Sequence, residues 1–434
     1  MHARRKRVFS GRSAARRNFA TGLEVWCAAR RTRRRGLRVA LLSHAAAVGT
    51  DGVSALDRLW AQSDLSLVAV FTPEHGYWAC GGAGEPMPDT VHPLLGIPIY
   101  SLYGGRPAPT PEHWRSFDLL IVDLQDLGVR CYTYVSTLRD VLESAAAAGK
   151  PVLVADRPCP LVAISDGPML DQACHSFVGH IPAPFVYGMT IGETARWLCG
   201  VLHLNLELQV APMRGYCADG RRPTTLPWVP PSPGIRTWES AWGYPIGVFS
   251  EALPLLQADR GGPLSFQVIA VSDPWKGTAA DSPKSKTPLP DLFQGLEKKG
   301  LDVSQIRDKE ETARAVWSAL HRLELPGGRL EFHAYRAEGA WRYGARIVVE
   351  DPTAWRPACA AIRVLSALQS LFGRASLWEV AGARPEFFDR LWGTPAIRQM
   401  LQAGERAVRI ERSWRTAERR VFDRDRSAAL LYPR

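Results

Sequence analysis

Four short apolar runs mark the first third of the chain: LRVALLSH at 37–44, LSLVAVFTP at 65–73, DLLIVDLQD at 118–126 and KPVLVADRP at 150–158. Each is continuous rather than alternating, the pattern of a strand covered on both faces. Between them the spacing becomes helical. DGVSALDRLWAQ (51–62) predicts a helix joining the first two runs, and VSTLRDVLESAAAAGK (135–150) one joining the last two. MTIGETARWLCGVLH (189–203) predicts another, with Thr190 and Glu193 spaced as a capping box, and ELQVAPM (207–213) a further strand. Strand–helix–strand alternation builds a parallel α/β sheet with helices on both faces.

Downstream the patterning changes. LPWVPPSPGIRTWESAWGYPIG (226–247) is dense in Pro, Gly and Trp and reads as an ordered loop or domain junction. LSFQVIAV (264–271), RLEFHAYR (329–336) and RYGARIVVED (342–351) read as strands, and TAWRPACAAIRVLSALQSLFG (353–373) and GTPAIRQMLQAGE (393–405) as helices. The expected division is a basic, disordered tail over 1–35, an α/β domain over 36–245 and a smaller α+β domain over 246–434. WKGTAADSPKSKTPLP (275–290) is expected to be a flexible surface loop.

In open parallel sheets, ligands bind beyond the carboxyl ends of the strands, where the strand order reverses. The residues that end the apolar runs are therefore the first candidates. The second run ends in Glu74 and His75, followed by GGAGE with Glu85. The third delivers Asp123, Gln125 and Asp126, with Arg130 just beyond, and the fourth Asp156 and Arg157. Together they would line a polar cleft able to bind a hydroxylated substrate and move protons. Taken singly, most have a structural explanation, since Asp after a strand caps the next helix and Asp156–Arg157 can pair. Glu74 is the exception, because Glu is a poor turn residue and the glycines after it let backbone approach a ligand.

Length and composition narrow the class. A chain of 434 residues suggests two or three domains. The net charge of +11 is concentrated in the arginine runs of the first 35 residues. No aromatic interleaving or nucleic-acid motif accompanies them, so a solvated tail is expected rather than nucleic-acid binding. No run approaches the 18 apolar residues of a membrane span, and no apolar signal core follows the arginines; a cytoplasmic protein is expected. The eight cysteines show no C-x-x-C pair, and several, such as Cys131 and Cys199, sit in apolar surroundings and read as small core residues. No metal-ligand spacing, P-loop, dinucleotide fingerprint or nucleophile elbow is present, so neither metal nor cofactor is expected. Hydrolysis or isomerisation of a small polar substrate remains. The 15 Trp and 11 Tyr suit stacking on sugar rings, although core packing is their ordinary use.

The ordered motifs PEHG, AGE, PIYSLYG, DLQDLGVRCYTYVSTL, ADRPCPL, DGPMLD, SFVG, YGMTIGETA and PSPGIRT run through residues 73–237. This set resembles the exo-β-N-acetylmuramidase (NamZ-type) family, formerly a domain of unknown function. The likeness continues through DRGGPLSFQVI (259–269) and FFDRLWGTPAIR (387–398). It implies a Rossmann-like N-terminal domain, a smaller C-terminal domain and an active site in the cleft between them. It also implies a glycoside hydrolase releasing N-acetylmuramic acid from the non-reducing end of peptidoglycan fragments, such as a muropeptide or MurNAc-GlcNAc, in cell-wall turnover. Glu74 of the matching PEHG then becomes the general acid, with His75 beside it. Arg130 or Arg157 would meet the lactyl carboxylate, and Tyr132 or Tyr134 would face the sugar. The chain departs from the family pattern at Ser43-His44, Cys159 and Gly234, where amides are usual. In SEALPLLQADRGG (250–262) only Glu251, Arg260 and Gly261 match, with Glu251 and Arg260 as further substrate-binding candidates. Those losses motivate an alternative, a non-catalytic sugar- or muropeptide-binding protein on the same scaffold.

Overall fold

The computed structural model describes residues 18–29, 36–271 and 310–434. The expected loop at 275–290 lies outside these residues. The first sheet contains β1 (Leu37–Ser43), β2 (Leu65–Thr72), β3 (Thr90–Val91), β4 (Pro98–Ser101), β5 (Leu119–Asp123), β6 (Val152–Ala155) and β7 (Leu208–Ala211). Their spatial order is β3-β4-β2-β1-β5-β6-β7. All neighbours are parallel except the short β3 on β4. Around the sheet lie α1 (Gly22–Ala28), α2 (Ala55–Trp60), α3 (Pro111–Ser116), α4 (Tyr134–Ala148) and α5 (Ile191–Val201).

The chain leaves β1 on one side to build β2 and β4, then crosses to the other side for β5, β6 and β7. The reversal opens a crevice at the carboxyl ends of β1, β2 and β5. Each face of the sheet has its own core. Leu41, Val70 and Ile121 point to one, under Leu56 and Leu59. Leu42, Phe71 and Val122 point to the other, under Leu138, Leu142 and Trp197. Burial of each such side chain contributes roughly 1.5–3 kcal/mol.

The tail expected over 1–35 is structured in part. Thr21 and Glu24 close a capping box on α1, and Leu23 and Trp26 are buried against the sheet. Gly22 sits so close to β7 that a Cβ there would lie 2.2 Å from the Ala211 carbonyl oxygen. The apolar face of LEVW, too short to register among the flanking arginines, is what docks.

The second sheet is antiparallel, ordered β10-β11-β9-β8. Its strands are β8 (Leu256–Gln257), β9 (Val268–Val271), β10 (Gly328–Ala337) and β11 (Ala340–Val349). Its helices are α6 (Trp238–Gly247), α7 (Glu310–Leu320), α8 (Pro357–Phe372), α9 (Arg374–Trp378), α10 (Pro385–Trp392), α11 (Ala396–Gln402), α12 (Ala407–Ser413) and α13 (Ala417–Ala429). Three features differ from the sequence expectation. Helix α6 occupies the segment read as a junction and runs through residue 245. The helix expected at 393–405 is shorter, α11 over Ala396–Gln402, and a separate helix, α10, precedes it, ending where Gly393 takes a left-handed turn with φ 76°. Helix α13 returns to the first sheet, where Phe422 packs edge-on against Trp197 at 5.3 Å. A shared apolar core ties the two parts together, running from Leu127, Val129 and Phe185 to Phe249, Phe388 and Trp392.

Candidate active site

Strand β2 ends at Thr72, and Pro73 leads directly to Glu74. The chain then reverses through His75 and Gly76, both left-handed at φ 73° and 75°. That conformation costs a non-glycine residue roughly 1–2 kcal/mol, so His75 must be held there. The Gly81 carbonyl does so, accepting from His75 Nδ1 at 2.8 Å, which places the ring proton on Nδ1. The returning loop brings the Gly84 amide to Glu74, donating to Oε1 at 2.7 Å. From the other side of the crevice, Thr133 Oγ1 donates to Glu74 Oε2 at 2.5 Å. Thr133 stands at the N-cap position of α4, the helix after β5, but its side chain makes no capping bond and turns to Glu74 instead. Glu74 thus spans the reversal in strand order, 7% exposed. Burial, and then the Glu74 carboxylate beside it, push the Tyr103 phenol up to about 12.

Glu74 opens into a cavity of about 570 Å³, a volume suited to a small ligand. One wall comes from the first sheet and its loops: Glu74, His75, Tyr103, Tyr132, Thr133 and Phe177. The opposite wall comes from the second part of the chain: Tyr244, Glu251, Arg260, Phe266, Arg384 and Phe387. Tyr132 packs against Tyr134 at 4.6 Å and edge-on to Tyr244 at 5.9 Å. Arg260 Nη1 lies 3.6 Å from Glu251 Oε1. Burial raises the Glu251 carboxyl, and Glu74 raises it further, against Arg260 and Arg384. The cavity therefore combines two carboxylates, two guanidinium groups and several aromatic rings. A larger groove of about 920 Å³ lies between α5 and α13, but apolar side chains such as Trp197, Val201 and Phe422 dominate it and no strand-end residue reaches it.

Of the sequence candidates, Glu74, His75, Tyr132, Glu251 and Arg260 line this cavity, and the others do not. Arg157 and Asp123 form a buried ion pair at 3.2 Å. Arg157 also donates to Gln125 Oε1 at 3.3 Å and to the Val48 carbonyl at 2.8 Å. Burial raises the Asp123 carboxyl, with Arg157 opposing. Gln125 donates to the Pro158 carbonyl at 2.8 Å. Asp126 accepts from Tyr187 and from the Gly128 amide at 3.0 Å, and burial pushes its carboxyl up to about 6. Asp156 accepts from Gly192 N at 2.8 Å, Thr190 Oγ1 at 2.8 Å and Tyr432 at 2.6 Å. Burial pushes its carboxyl to about 7, the donors pulling the other way.

Arg130 is fully buried and donates to the carbonyls of Ala183, Pro168 and Trp392, the last at 2.5 Å. Tyr134 gives its hydroxyl to the Pro231 carbonyl. Glu85 is exposed and accepts from Gly82 N at 2.9 Å, shaping the loop that presents Gly84. These residues sit at strand ends for structural reasons: a buried carboxylate or guanidinium must be paired, and the sheet supplies the partners. The sequence reading missed Thr133, Tyr103, Phe177 and Arg384. Thr133 lies inside the CYTYV motif, between the two tyrosines the sequence had singled out; Arg384 carries no sequence signal. Among the described residues, no group of three His, Cys, Asp or Glu side chains is placed to hold a metal ion.

The two halves of this cleft also match known sequences. The model for exo-β-N-acetylmuramidase NamZ, N-terminal, matches residues 39–239, and that for the C-terminal part matches 307–432. The chain belongs to the NamZ family. The Bacillus subtilis (strain 168) protein named peptidoglycan β-N-acetylmuramidase NamZ is 28% identical over 419 residues, covering 95% of this chain and 91% of that one. Two DUF1343 family proteins from Bacteroides fragilis have similar crystal structures, each at 25% identity. Their TM-scores are 0.75 and 0.69, covering 95% and 96% of this chain and 99% of each of theirs. Glu74 and Thr133 fall inside the N-terminal NamZ match. Glu251 and Arg260 fall between the two matches, in the stretch where the family motif is thinnest.

Proposed function

We propose that the protein is an exo-acting glycosidase that removes terminal N-acetylmuramic acid from the non-reducing end of peptidoglycan fragments, serving cell-wall turnover. The observation that carries the reading is Glu74, a carboxyl group held by Gly84 and Thr133 at the reversal of strand order and open to a sugar-sized cavity. Membership of the NamZ family supports the substrate class.

In this reading Glu74 gives its proton to the leaving glycosidic oxygen as the bond to C1 breaks. The substrate's 2-acetamido oxygen closes on C1, and water then opens that intermediate with Glu74 taking the proton back. His75 and Tyr103 border the carboxyl group and shape its approach. Tyr132, Phe177 and Phe387 offer faces to the sugar ring. Glu251 is the second carboxylate of the cavity, positioned on the wall opposite Glu74.

A chromogenic β-N-acetylmuramide assayed beside the matching β-N-acetylglucosaminide tests the reaction. Turnover of the first and little of the second is expected. The lost family amides at Cys159 and Gly234 favour one rival, a sugar-binding protein without turnover. Binding of N-acetylmuramic acid with no hydrolysis of either substrate would establish that rival instead.

A further inference from the structure

The sequence offered Arg130 and Arg157 as receivers of the substrate's carboxylate, and the structure consumes both. Arg130 spends its donors on backbone carbonyls and Arg157 is paired with Asp123 below the cavity. Two other arginines enter the cavity itself. Arg260 faces Glu251 at 3.6 Å. Arg384, the residue before α10, makes no ion pair among the described residues. One of its nitrogens donates to the Glu251 backbone carbonyl, and its guanidinium lies 4.4 Å over the Phe387 ring.

A guanidinium carries five N–H donors in a rigid fork. Arg384 is therefore oriented by a carbonyl and an aromatic face, most of its donors remain free, and the nearby Glu251 carboxylate is paired with Arg260 rather than with it. That is the state of a group waiting for a ligand anion. A neutral sugar gives it nothing that water does not. A sugar bearing a carboxylate supplies a planar acceptor of matching geometry.

We propose that Arg384, assisted by Arg260, is the specificity-determining residue of the cavity and receives the carboxylate of the substrate's lactyl arm. The inference rests on the muramidase reading above and assigns the residue that separates muramic acid from glucosamine. It places that residue about 300 positions along the chain from Glu74, on the opposite wall, so the two parts of the protein divide chemistry and selection between them.

Arg384→Gln is the test, read by steady-state kinetics on the β-N-acetylmuramide, on its methyl ester and on the β-N-acetylglucosaminide. Loss of a charge-assisted pair should raise KM for the muramide about 10- to 100-fold, with kcat nearly kept. The native protein should lose a similar factor on the ester, and the variant should not distinguish acid from ester. Arg384→Lys should recover part of the loss, and the side chain is exposed enough that the melting temperature should hold. A variant with the native preference for the acid overturns the assignment and leaves the reaction standing. If the native protein turns over neither substrate, the reaction fails first, and calorimetry with N-acetylmuramic acid decides the inference. Binding to the native protein that weakens in Arg384→Gln upholds it. Equal binding to both, or none to the native protein, overturns it.

Discussion

Glu74 Oε2 and Thr133 Oγ1 stand 2.5 Å apart, although 59 residues separate them in sequence. One follows β2 and the other stands at the start of the helix after β5, so the contact bridges the two strands that flank β1. The strand order itself brings the carboxyl group and its hydroxyl partner together. A sheet without that reversal would leave Glu74 as a turn residue.

Glu74→Gln should keep the fold and lose the reaction. The amide fills the same space and still accepts from Thr133 or Gly84, but it has no acidic proton to give. General acid–base catalysis is worth 10²–10⁴-fold, about 3–5 kcal/mol of barrier. Turnover of the muramide should fall by that factor while N-acetylmuramic acid binding changes little. Thr133→Val should cost less, about tenfold, because the Gly84 amide still holds one oxygen. A stable Glu74→Gln protein with native turnover would remove Glu74 from the chemistry.

The α/β core was legible because continuous apolar runs have few other uses in a chain of this length. Glu74 was legible for a related reason: an ionisable pair at the end of a buried strand needs explaining. Asp123, Asp126, Asp156, Arg130 and Arg157 show the limit of that logic. The same position at a strand end serves an active site or a buried ion pair, and only the partners decide. Those partners, such as Tyr187, Tyr432 and Trp392, lie far along the chain. Arg384 was illegible for the same reason, since nothing local distinguishes it from any other arginine before a helix. Helix α1 was hidden by its surroundings, because two buried side chains among many arginines make no periodic pattern.

Trp26→Ala should destabilise the whole protein even though it lies in a segment that reads as a tail. Trp26 is buried with Leu23 against the first sheet, and the backbone of Ala20 pairs with Arg214 in both directions at 3.1 and 3.0 Å. Truncation of a buried Trp costs about 3–5 kcal/mol. Thermal unfolding should show a clear fall in midpoint for the variant. An unchanged midpoint would mean that α1 is not docked.

Asp126 should give stability a pH dependence of known sign. Its Oδ1 has no hydrogen-bond partner, and burial raises its carboxyl from the ordinary 3.8 to about 6. The folded protein therefore holds this proton more tightly than the unfolded chain. The contribution is fully present below about pH 3.8 and is lost as pH rises through about 6. Asp126→Asn stays neutral throughout. From pH 4 to pH 7 the variant should gain on the native protein, by at most about 3 kcal/mol. Denaturant melts of both proteins across that range check this, and a constant difference between them would contradict it.

Arg130 should prove structural, against its strand-end position and its place in a family motif. Its guanidinium joins the carbonyls of Ala183 and Pro168 to that of Trp392 at the end of α10, fastening the two parts of the chain beneath the cavity. Burial lowers its pKa to about 10, which still leaves it charged at neutral pH. Arg130→Met would strip those buried carbonyls of their donor, at a cost of about 1–3 kcal/mol for each acceptor left unsatisfied. Gly393→Ala probes the same contact from the other side, since a Cβ there would lie 2.0 Å from Arg130 Nη2. It would also place a side chain at a left-handed φ of 76°. Both variants should lower the melting temperature substantially. Below the melt, both should retain the native preference for the acid over its methyl ester, because the carboxylate is received by Arg384 and not by Arg130. Loss of that preference in Arg130→Met, with Gly393→Ala unaffected, would return Arg130 to the substrate site.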